Sequence, residues 1–380
     1  MMRARLSSYT VLVLVAVLCA ASMGCGGPVG ETGTAVPGPF FRVVEDGKYG
    51  FIDAAGRAVV KPRYDYATFI VQGRAAVNMG GVPDEDGAAG GTWGYIDSGG
   101  RWIVKPRFEK AYPFAEGLAR VKHDGVWGFI ERSGAFAVEP QYDDAAGFSH
   151  GLARVRVGDK WTYIDTRGNR ICTPEFDEAW DFTGARARAR RDGRWVYVDA
   201  DGKVFVAAEY DEVGNFAEGL ARVRKGDAWG YVDESLAVAI EPQFDGAEDF
   251  VEGLASVKVG DKWGFIDQEG LVVAEPQFDQ AWDFCHGRAV VRVGEKHGYI
   301  DTRGEVVIEP RFDDAWGFTE GRAVVMIDGK YGFIDETGNL VIPARFDDAF
   351  EFENGLALVV VDGKQAYIDR SGDYVWQARR

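Results

Sequence analysis

The chain has 380 residues, of which 27% are charged and 46% are hydrophobic, and this composition is too apolar for an intrinsically disordered protein. Its formal net charge of −17 argues against general nucleic-acid binding, which requires a basic surface. Aromatic residues make up 13% of the chain and there are 50 glycines, which together favour β-structure with many tight turns.

The first element in the chain is a predicted export signal at residues 1–24. Arg3 and Arg5 supply positive charge, residues 11–21 form a short apolar run, and small residues precede Cys25. This order resembles a bacterial lipoprotein signal, in which Cys25 would become the lipidated N-terminus. Ser22 departs from the Leu that such signals usually have, so cleavage without lipidation is the alternative.

Residues 25–39 are rich in Gly and Pro and predict a flexible tether. The expected location is therefore the outer membrane, the cell surface or the periplasm, with the membrane contacted only through the N-terminal lipid. The alternative is a secreted or periplasmic soluble protein.

Residues 40–380 repeat one pattern ten times. Each unit has an anchor residue before a "G-[FY]-[IV]-D" motif, and successive anchors are 34 residues apart except for a first gap of 44. The extra residues fall at 78–91, where we predict a surface loop. The anchors are Tyr49, Trp93, Trp127, Trp161, Trp195, Trp229, Trp263, His297, Tyr331 and Gln365.

Each unit is predicted to be a three-stranded antiparallel meander with strands A, B and C. In the unit at residues 254–276, alternating runs are separated by Gly- and Asp-rich turns, and Trp263, Phe265 and Asp267 share one face of strand B. The Asp is expected to begin a tight turn by accepting local N–H groups, and the Pro ends strand C. The Phe residues of the connector to the next unit are expected to fill the gap between neighbours.

The motifs "W-G-[FY]-I-D-x-x-G" and "P-x-[FY]-D-x-A-x-x-F-x-E-G-L-A" resemble the WG (KWG) repeat family of bacteria, over essentially residues 40–380. This family is known chiefly as a repeat in exported or surface proteins, and it implies no common activity. The units depart from the motif Gly at Thr162, Val196 and Ala366, and from the anchor aromatic at His297 and Gln365.

The predicted fold class is all-β, with the units stacked as an open or superhelical β-solenoid. Propellers usually have four to eight four-stranded blades and often close by splitting one blade between the termini. Here the first unit begins with its own strand A and the last ends with its own strand C, so a closed propeller-like ring is the alternative.

Signs of catalysis are weak. The repeated carboxylates are better explained as turn formers, since a catalyst is needed once and not ten times. The four histidines form no metal-binding motif, no nucleotide-binding loop is present, and Cys172 and Cys285 are expected to be free, largely buried thiols. We therefore predict no enzyme activity, no metal and no cofactor.

One feature differs between units. Strand A carries basic residues at equivalent positions, which would stack into a stripe for an anionic partner. The alternative is that they pair with strand C carboxylates such as Glu139, Glu241 and Glu275. The stripe is Arg120, Lys122, Arg154, Arg156, Arg186, Arg188, Arg190, Arg222 and Arg224, and the units containing Ala76 and Val360 lack it.

The predicted function is a non-catalytic cell-envelope scaffold that binds an envelope protein or an anionic polysaccharide along an extended face. The alternative is a carbohydrate-binding surface protein, in which Trp180, Trp282 and Trp316 of the connectors would stack on sugars. An enzyme with an unrecognised site is the third hypothesis.

Overall fold

The computed structural model describes residues 38–84, 87–173 and 175–378. These residues form 38 β-strands and no helix. Cys25, the signal at 1–24 and most of the tether at 25–39 lie outside the described residues. The strands form ten small antiparallel sheets, and each sheet consists of consecutive strands from about one repeat. We call these sheets blades 1 to 10.

Blades 1 to 4 occupy the first part of the chain. Blade 1 is β1 (Phe40–Glu45), β2 (Lys48–Asp53) and β3 (Ala58–Tyr64). Blade 2 is β4 (Tyr66–Ala67), β5 (Arg74–Asp84), β6 (Gly87–Asp97) and β7 (Trp102–Phe108). Blade 3 is β8 (Lys110–Ala111), β9 (Leu118–His123), β10 (Val126–Glu131) and β11 (Phe136–Tyr142), and blade 4 is β12 (Asp144–Ala145), β13 (Leu152–Val157) and β14 (Lys160–Asp165).

Blades 5 to 7 follow. Blade 5 is β15 (Glu178–Ala179), β16 (Arg186–Arg191), β17 (Arg194–Asp199) and β18 (Val204–Val206). Blade 6 is β19 (Glu212–Ala217), β20 (Leu220–Lys225), β21 (Ala228–Asp233) and β22 (Val238–Phe244). Blade 7 is β23 (Gly246–Ala247), β24 (Leu254–Val259), β25 (Lys262–Asp267) and β26 (Val272–Phe278).

Blades 8 to 10 complete the structure. Blade 8 is β27 (Gln280–Cys285), β28 (Arg288–Val293), β29 (Lys296–Asp301) and β30 (Val306–Phe312). Blade 9 is β31 (Asp314–Thr319), β32 (Arg322–Ile327), β33 (Lys330–Ile334) and β34 (Leu340–Phe346). Blade 10 is β35 (Asp348–Glu353), β36 (Leu356–Val361), β37 (Lys364–Asp369) and β38 (Tyr374–Gln377).

The predicted strands A, B and C are present, but most blades contain a fourth strand that the repeat pattern did not predict. The connector between units contributes a short strand that pairs with strand A, as where Ala247 lies opposite Val257. The order within a blade is therefore connector, A, B, C. Connector strands of neighbouring blades contact each other, β27 with β31 and β31 with β35, so the connectors form the inner rim and strand C lies outside.

The blades close into a ring. A Cβ added to Gly56 of blade 1 would lie 2.2 Å from the Val375 carbonyl oxygen of blade 10. The same close approach joins neighbouring blades elsewhere, since a Cβ added to Gly202 would lie 2.2 Å from the Ile171 carbonyl oxygen. Phe41 of blade 1 also packs against Tyr367 of blade 10, with ring centroids 5.3 Å apart.

The open solenoid is therefore wrong, and its alternative, a closed propeller-like ring, describes the ten-bladed structure. We expected closure to require a blade divided between the two ends of the chain. Instead, the first and the last blade each have their own strands A, B and C, and they meet through the same kind of contact that joins other neighbouring blades. The Tyr367 hydroxyl completes this junction by donating to the Arg42 carbonyl at 2.9 Å.

The insert at 78–91 is not a surface loop where the structure describes it. Residues 74–84 and 87–97 pair as one long hairpin, with Val82 opposite Ala89 and Asp84 opposite Gly87. Ala88 is fully buried in a cluster with Trp93. Small residues allow the hairpin to fold back onto its own blade.

The motif Gly is required because strand C bends across it. In blade 7, strand B pairs through Trp263 with Phe278 and through Phe265 with Ala274, so a bulge in strand C lies opposite Gly264. A Cβ on Gly264 would lie 2.5 Å from the Ala274 carbonyl oxygen and 2.7 Å from the Pro276 nitrogen. Glycine leaves room for this close backbone approach.

The three departures from the motif Gly occur where strand C lacks this bend. Val196 pairs regularly with Val206, and Ala366 pairs with Gln377. In blade 4, residues 170–173 form no strand, and the Thr162 hydroxyl donates to the Cys172 carbonyl at 2.8 Å. A side chain at the motif position therefore accompanies a different course of strand C.

Aromatic side chains fill the joints between blades, as the repeat pattern predicts. The connector Phe of one blade packs against the strand B aromatic of the preceding blade, as in Tyr231–Phe250 at 4.8 Å and Phe265–Phe284 at 5.1 Å between ring centroids. Such pairs contribute about 0.5–1.5 kcal/mol beyond their buried area. Repeating this contact in successive joints gives the ring a continuous core.

We expect Gly264→Ala to destabilise the ring by about 1–3 kcal/mol, because the new Cβ meets backbone atoms that move only if strand C shifts. Gly147→Ala is the matched control, since a Cβ there meets nothing within 4 Å. Urea unfolding followed by circular dichroism measures both. Equal midpoints for the two variants would contradict this explanation of the motif.

The turn Asp residues predict acid sensitivity. Asp335 Oδ1 accepts from the Thr337 hydroxyl at 2.6 Å and from the Thr337 and Asn339 N–H groups, and the hydroxyl bond is the main reason why the pKa of Asp335 lies below its usual value. A lowered folded-state pKa stabilises above the unfolded pKa of about 3.9, and this stability is lost as pH falls through the folded value.

We therefore expect thermal stability to fall as pH drops below about 4, and Asp335→Asn to make that fall shallower. Glu336→Gln removes a neighbouring exposed charge outside these hydrogen bonds and serves as control. Melting temperatures between neutral pH and about pH 3 test the difference. Identical pH profiles for Asp335→Asn and the unmodified protein would contradict it.

Candidate functional site

The arginines of strand A join one blade to the next. Arg154 of blade 4 donates from Nη1 to the Ala179 carbonyl of the next connector at 2.8 Å, and its guanidinium lies 5.2 Å from the Trp161 ring. Four other arginines at this position make the same bond and also lie over their own anchor ring. They are Arg42, Arg120, Arg188 and Arg222, bonded to Ala67, Ala145, Val213 and Ala247.

We call these five residues the clasp arginines. The predicted stripe contains four of them. It omits Arg42, because the unit containing Ala76 was taken as the first unit of the series. Burial lowers the pKa of Arg120 and of Arg188, although both guanidinium groups stay charged at neutral pH. Their charge is therefore placed inside the joint and not presented freely to a partner.

Connector carboxylates neutralise part of this charge. Asp181 Oδ1 lies 2.7 Å from Arg154 Nε. Arg222 contacts both Glu248 and Asp249, with Asp249 Oδ1 3.0 Å from its Nε. The alternative prediction, pairing with strand C carboxylates such as Glu139, Glu241 and Glu275, chose the wrong element, because the connector of the next blade lies nearer to strand A.

The remaining stripe residues lie elsewhere. Lys122, Arg156, Arg190 and Arg224 stand two residues further along strand A, opposite the first residue of their own connector. Lys258 and Arg292 continue this series in blades 7 and 8. We call these six residues the basic arc.

The basic arc is only partly neutralised. Arg224 pairs with Glu212 at 3.1 Å, and Arg190 lies 4.4 Å from the Trp195 ring. Lys122, by contrast, lies opposite another lysine, Lys110. Arg186 belongs to neither set, since its guanidinium lies 3.8 Å from the Phe205 ring and its Nη1 is buried without a hydrogen-bond partner.

The inner rim carries aromatic side chains of the connectors. Connector tryptophans stack on their own anchors, Trp180 on Trp195 at 5.2 Å and Trp282 on His297 at 5.4 Å between ring centroids. Trp316 lies 5.6 Å from Tyr331 in the same way. Trp282 nevertheless remains 42% exposed.

Carboxyl groups of the connectors also lie on this rim. Burial raises the pKa of Asp249, with partial compensation from Arg222. Burial also raises the pKa of Asp283, and Glu248 and Asp249 add to the rise. The pKa of Glu351 is raised by burial as well. These groups are acidic side chains held in a partly desolvated place, where a cationic group would stabilise their charge.

The two histidines that replace Glu before the strand A glycine take part in a ladder between blades. Glu252 accepts from the His286 and Gly287 N–H groups at 2.7 and 2.8 Å. His150 Nε2 accepts from the Gly184 N–H at 3.1 Å, which requires an unprotonated Nε2. This position is therefore a hydrogen-bond acceptor between adjacent turns.

The cysteines are free, as predicted, but both are only partly buried. Cys285 Sγ lies 3.2 Å from His286 Nδ1, and burial raises the pKa of the thiol, which disfavours a reactive thiolate. Within the described residues no three His, Cys, Asp or Glu side chains are grouped to hold a metal ion. The described residues also contain no helix long and apolar enough to cross a membrane.

The predicted anchors differ in their surroundings. Trp93 and Trp195 are buried at 2% and 8% exposure. Trp195 donates from Nε1 to the Asp211 carbonyl at 2.9 Å. Trp127, Trp161, Trp229 and Trp263 are half-buried beneath strand A side chains.

Solved structures with similar folds are only distantly related. A eukaryotic initiation factor is 11% identical over 76% of this chain and 95% of its own, with a TM-score of 0.49. The dihydro-haem d1 dehydrogenase NirN is 12% identical over 92% of this chain and 75% of its own, with a TM-score of 0.41. PorZ of Porphyromonas gingivalis is 11% identical over 91% of this chain and 58% of its own, with a TM-score of 0.28.

These likenesses are too weak to carry a functional argument, and the comparison with curated proteins gives no match. The family comparison is specific. The model described as "WG containing repeat" matches nine segments: 49–82, 93–127, 127–161, 161–195, 197–227, 229–263, 263–296, 298–331 and 331–364. The chain therefore belongs to the WG-repeat family.

Proposed function

We propose that this protein is a non-catalytic binding scaffold of the cell envelope. The observation that supports this most is the division of its charged groups. Those of the turns, ladders and clasps are hydrogen-bonded within the ring, whereas those of the inner rim and the basic arc are only partly paired. Charged groups left partly unpaired on a rigid framework are suited to recognising a partner.

The basic arc is the proposed contact for an anionic partner, either an acidic envelope protein or an anionic polysaccharide. Its six residues run through consecutive blades 3 to 8. Each contributes weakly, so affinity would come from many equivalent contacts. The clasp arginines are not part of this contact, because they donate to carbonyl groups within the ring.

Carbohydrate binding is the second candidate. The Trp282 side chain is 42% exposed at the inner rim and has a carboxylate, Asp283, next to it. An aromatic face beside a hydrogen-bond acceptor is a common arrangement for stacking on a sugar ring. Trp180 and Trp316 are less exposed and contribute chiefly to packing against their anchors.

The location remains part of this proposal. An export signal ending at Cys25 would place the ring outside the cytoplasm and attach it to a membrane through one lipid. We expect Cys25→Ala to move the protein from the membrane fraction to the soluble fraction of its source cells. Cys285→Ala is the matched control, and membrane association unchanged by Cys25→Ala would contradict lipidation.

To test the basic arc, we would replace Arg156, Arg190 and Arg224 together by Gln and titrate the full-length protein with polygalacturonate, a polyanion. We expect the unmodified protein to bind several-fold more weakly at about 200 mM than at about 50 mM salt, and the triple variant to bind several-fold more weakly at low salt. Fluorescence anisotropy of a labelled polymer measures both.

The control replaces the clasp residues Arg154, Arg188 and Arg222 by Gln. These changes should lower the melting temperature, because they remove bonds between blades. Salt-independent binding, or equal binding by the basic-arc variant, would contradict the anionic contact and favour the inner rim instead.

A further inference from the structure

The joint between blades 7 and 8 lacks two side-chain donors found in other joints, the clasp arginine and a strand B tyrosine hydroxyl. Ser256 occupies the clasp position of blade 7, where blades 3 to 6 have arginine. Phe265 occupies the place where Tyr231 of blade 6 donates from its hydroxyl to the Glu248 carbonyl at 2.8 Å. No side-chain donor replaces either of them among the hydrogen bonds of the described residues.

The neighbouring joint shows what normally fills this place. At blades 6 and 7, the Arg222 guanidinium lies 5.6 Å from the Trp229 ring and donates to the Ala247 carbonyl at 2.7 Å. It is also paired with Asp249 of the connector at 3.0 Å. An aromatic face, a carbonyl and a carboxylate thus surround one guanidinium group.

All three parts are kept at the joint of blades 7 and 8. Trp263 is the anchor that corresponds to Trp229, and Ala281 corresponds to Ala247. Asp283 corresponds to Asp249, and its carboxyl group is close enough to Glu248, Asp249 and Arg222 for their charges to act on it. Asp283 therefore lies toward blade 7, as Asp249 in the preceding joint lies toward Arg222 of blade 6.

Ser256 supplies an independent sign of a missing ligand group. The residue is 1% exposed, and its Oγ is buried without a hydrogen-bond partner. Buried hydroxyl groups are rarely left unsatisfied, because they have lost their hydrogen bonds to water without gaining others. Trp282 and Asp283, in the connector of the next blade, are both exposed.

We propose that the joint between blades 7 and 8 binds a guanidinium group from outside the chain, such as the side chain of an arginine on a partner protein. The guanidinium lies over Trp263, donates to the Ala281 carbonyl and to Ser256 Oγ, and pairs with Asp283. This inference deepens the proposed scaffold function by naming the group that a protein partner contributes.

Other joints without a clasp arginine do not offer the same place. Val290 and Val324 occupy this position in blades 8 and 9, and at 5% and 1% exposure they fill it with apolar atoms. At blades 8 and 9 the Tyr299 hydroxyl also donates to the Trp316 carbonyl at 2.8 Å. The combination of a small polar residue, an anchor Trp and a connector Asp occurs at blade 7.

The raised pKa of Asp283 agrees with this assignment. Burial is its main cause, Glu248 and Asp249 add to the rise, and Arg222 of blade 6 offsets part of it. A bound guanidinium would stabilise the carboxylate and lower that pKa. Binding should therefore weaken as pH falls toward the range in which Asp283 becomes protonated.

The test titrates the full-length protein with Nα-acetylarginine amide and follows binding by isothermal titration calorimetry and by the fluorescence of the tryptophans. We expect one site per chain in the unmodified protein. Ser256→Arg places the missing guanidinium in the joint, so it should abolish binding and raise the melting temperature. Asp283→Asn should weaken binding about tenfold, because a charge-assisted bond becomes neutral.

Arg222→Ser provides the reverse design. Combined with Tyr231→Phe, it recreates the blade 7 arrangement between blades 6 and 7, where Trp229, Ala247 and Asp249 remain, so we expect a second site for the same probe. Nα-acetylnorleucine amide, which lacks the guanidinium, should bind to neither site.

An absence of binding by the unmodified protein, or binding unaffected by both Ser256→Arg and Asp283→Asn, would overturn the proposal. If Ser256→Arg fails to fold, Asp283→Asn decides alone. Polygalacturonate binding by the basic arc should be unaffected by Asp283→Asn, so the two proposals fail separately.

Discussion

The ring depends on how each connector strand is held from two sides. A connector of two residues pairs with its own strand A, but so short a ladder provides few hydrogen bonds. In many joints the preceding blade adds side-chain donors. Arg154 donates to the Ala179 carbonyl, and the strand B residue Tyr163 donates to the next carbonyl along the connector, that of Trp180. Most blades are thereby fixed relative to the next, and the ring closes although the joint after blade 7 has neither donor.

The units themselves were predictable because their signals are local. Alternating runs, turn glycines and Pro defined strands A, B and C, and the turn role of residues such as Asp335 follows from side-chain bonds within four residues. Closure was not predictable in this way. An open solenoid and a ring use the same unit and differ only by a small rotation per repeat, which no single residue specifies.

The connector strand and the arginine partners were missed for a related reason. Arg154 pairs with Asp181, 27 residues away, because the next connector returns to lie beside strand A. Without the connector strand, strand C seemed the nearest source of carboxylates. The departures from the motif Gly were visible in the sequence, but explaining them required the course of strand C. Val196 and Ala366 lie in blades whose strand C has no bulge like the one opposite Gly264 in blade 7.

A comparison of the blades therefore shows which side chains a joint requires and which it can lack. Blade 6 keeps Trp229, Ala247, Asp249 and Arg222 together, and blade 7 keeps the counterparts of the first three while Ser256 replaces the arginine. Asp283 is thus retained without an arginine in its own joint, and burial raises its pKa as it raises that of Asp249. A cation from a partner would stabilise this carboxylate, and the net charge of −17 favours the approach of a cationic group. The repeat thus serves as its own reference, because the group missing from one joint is identified by the group present in the next.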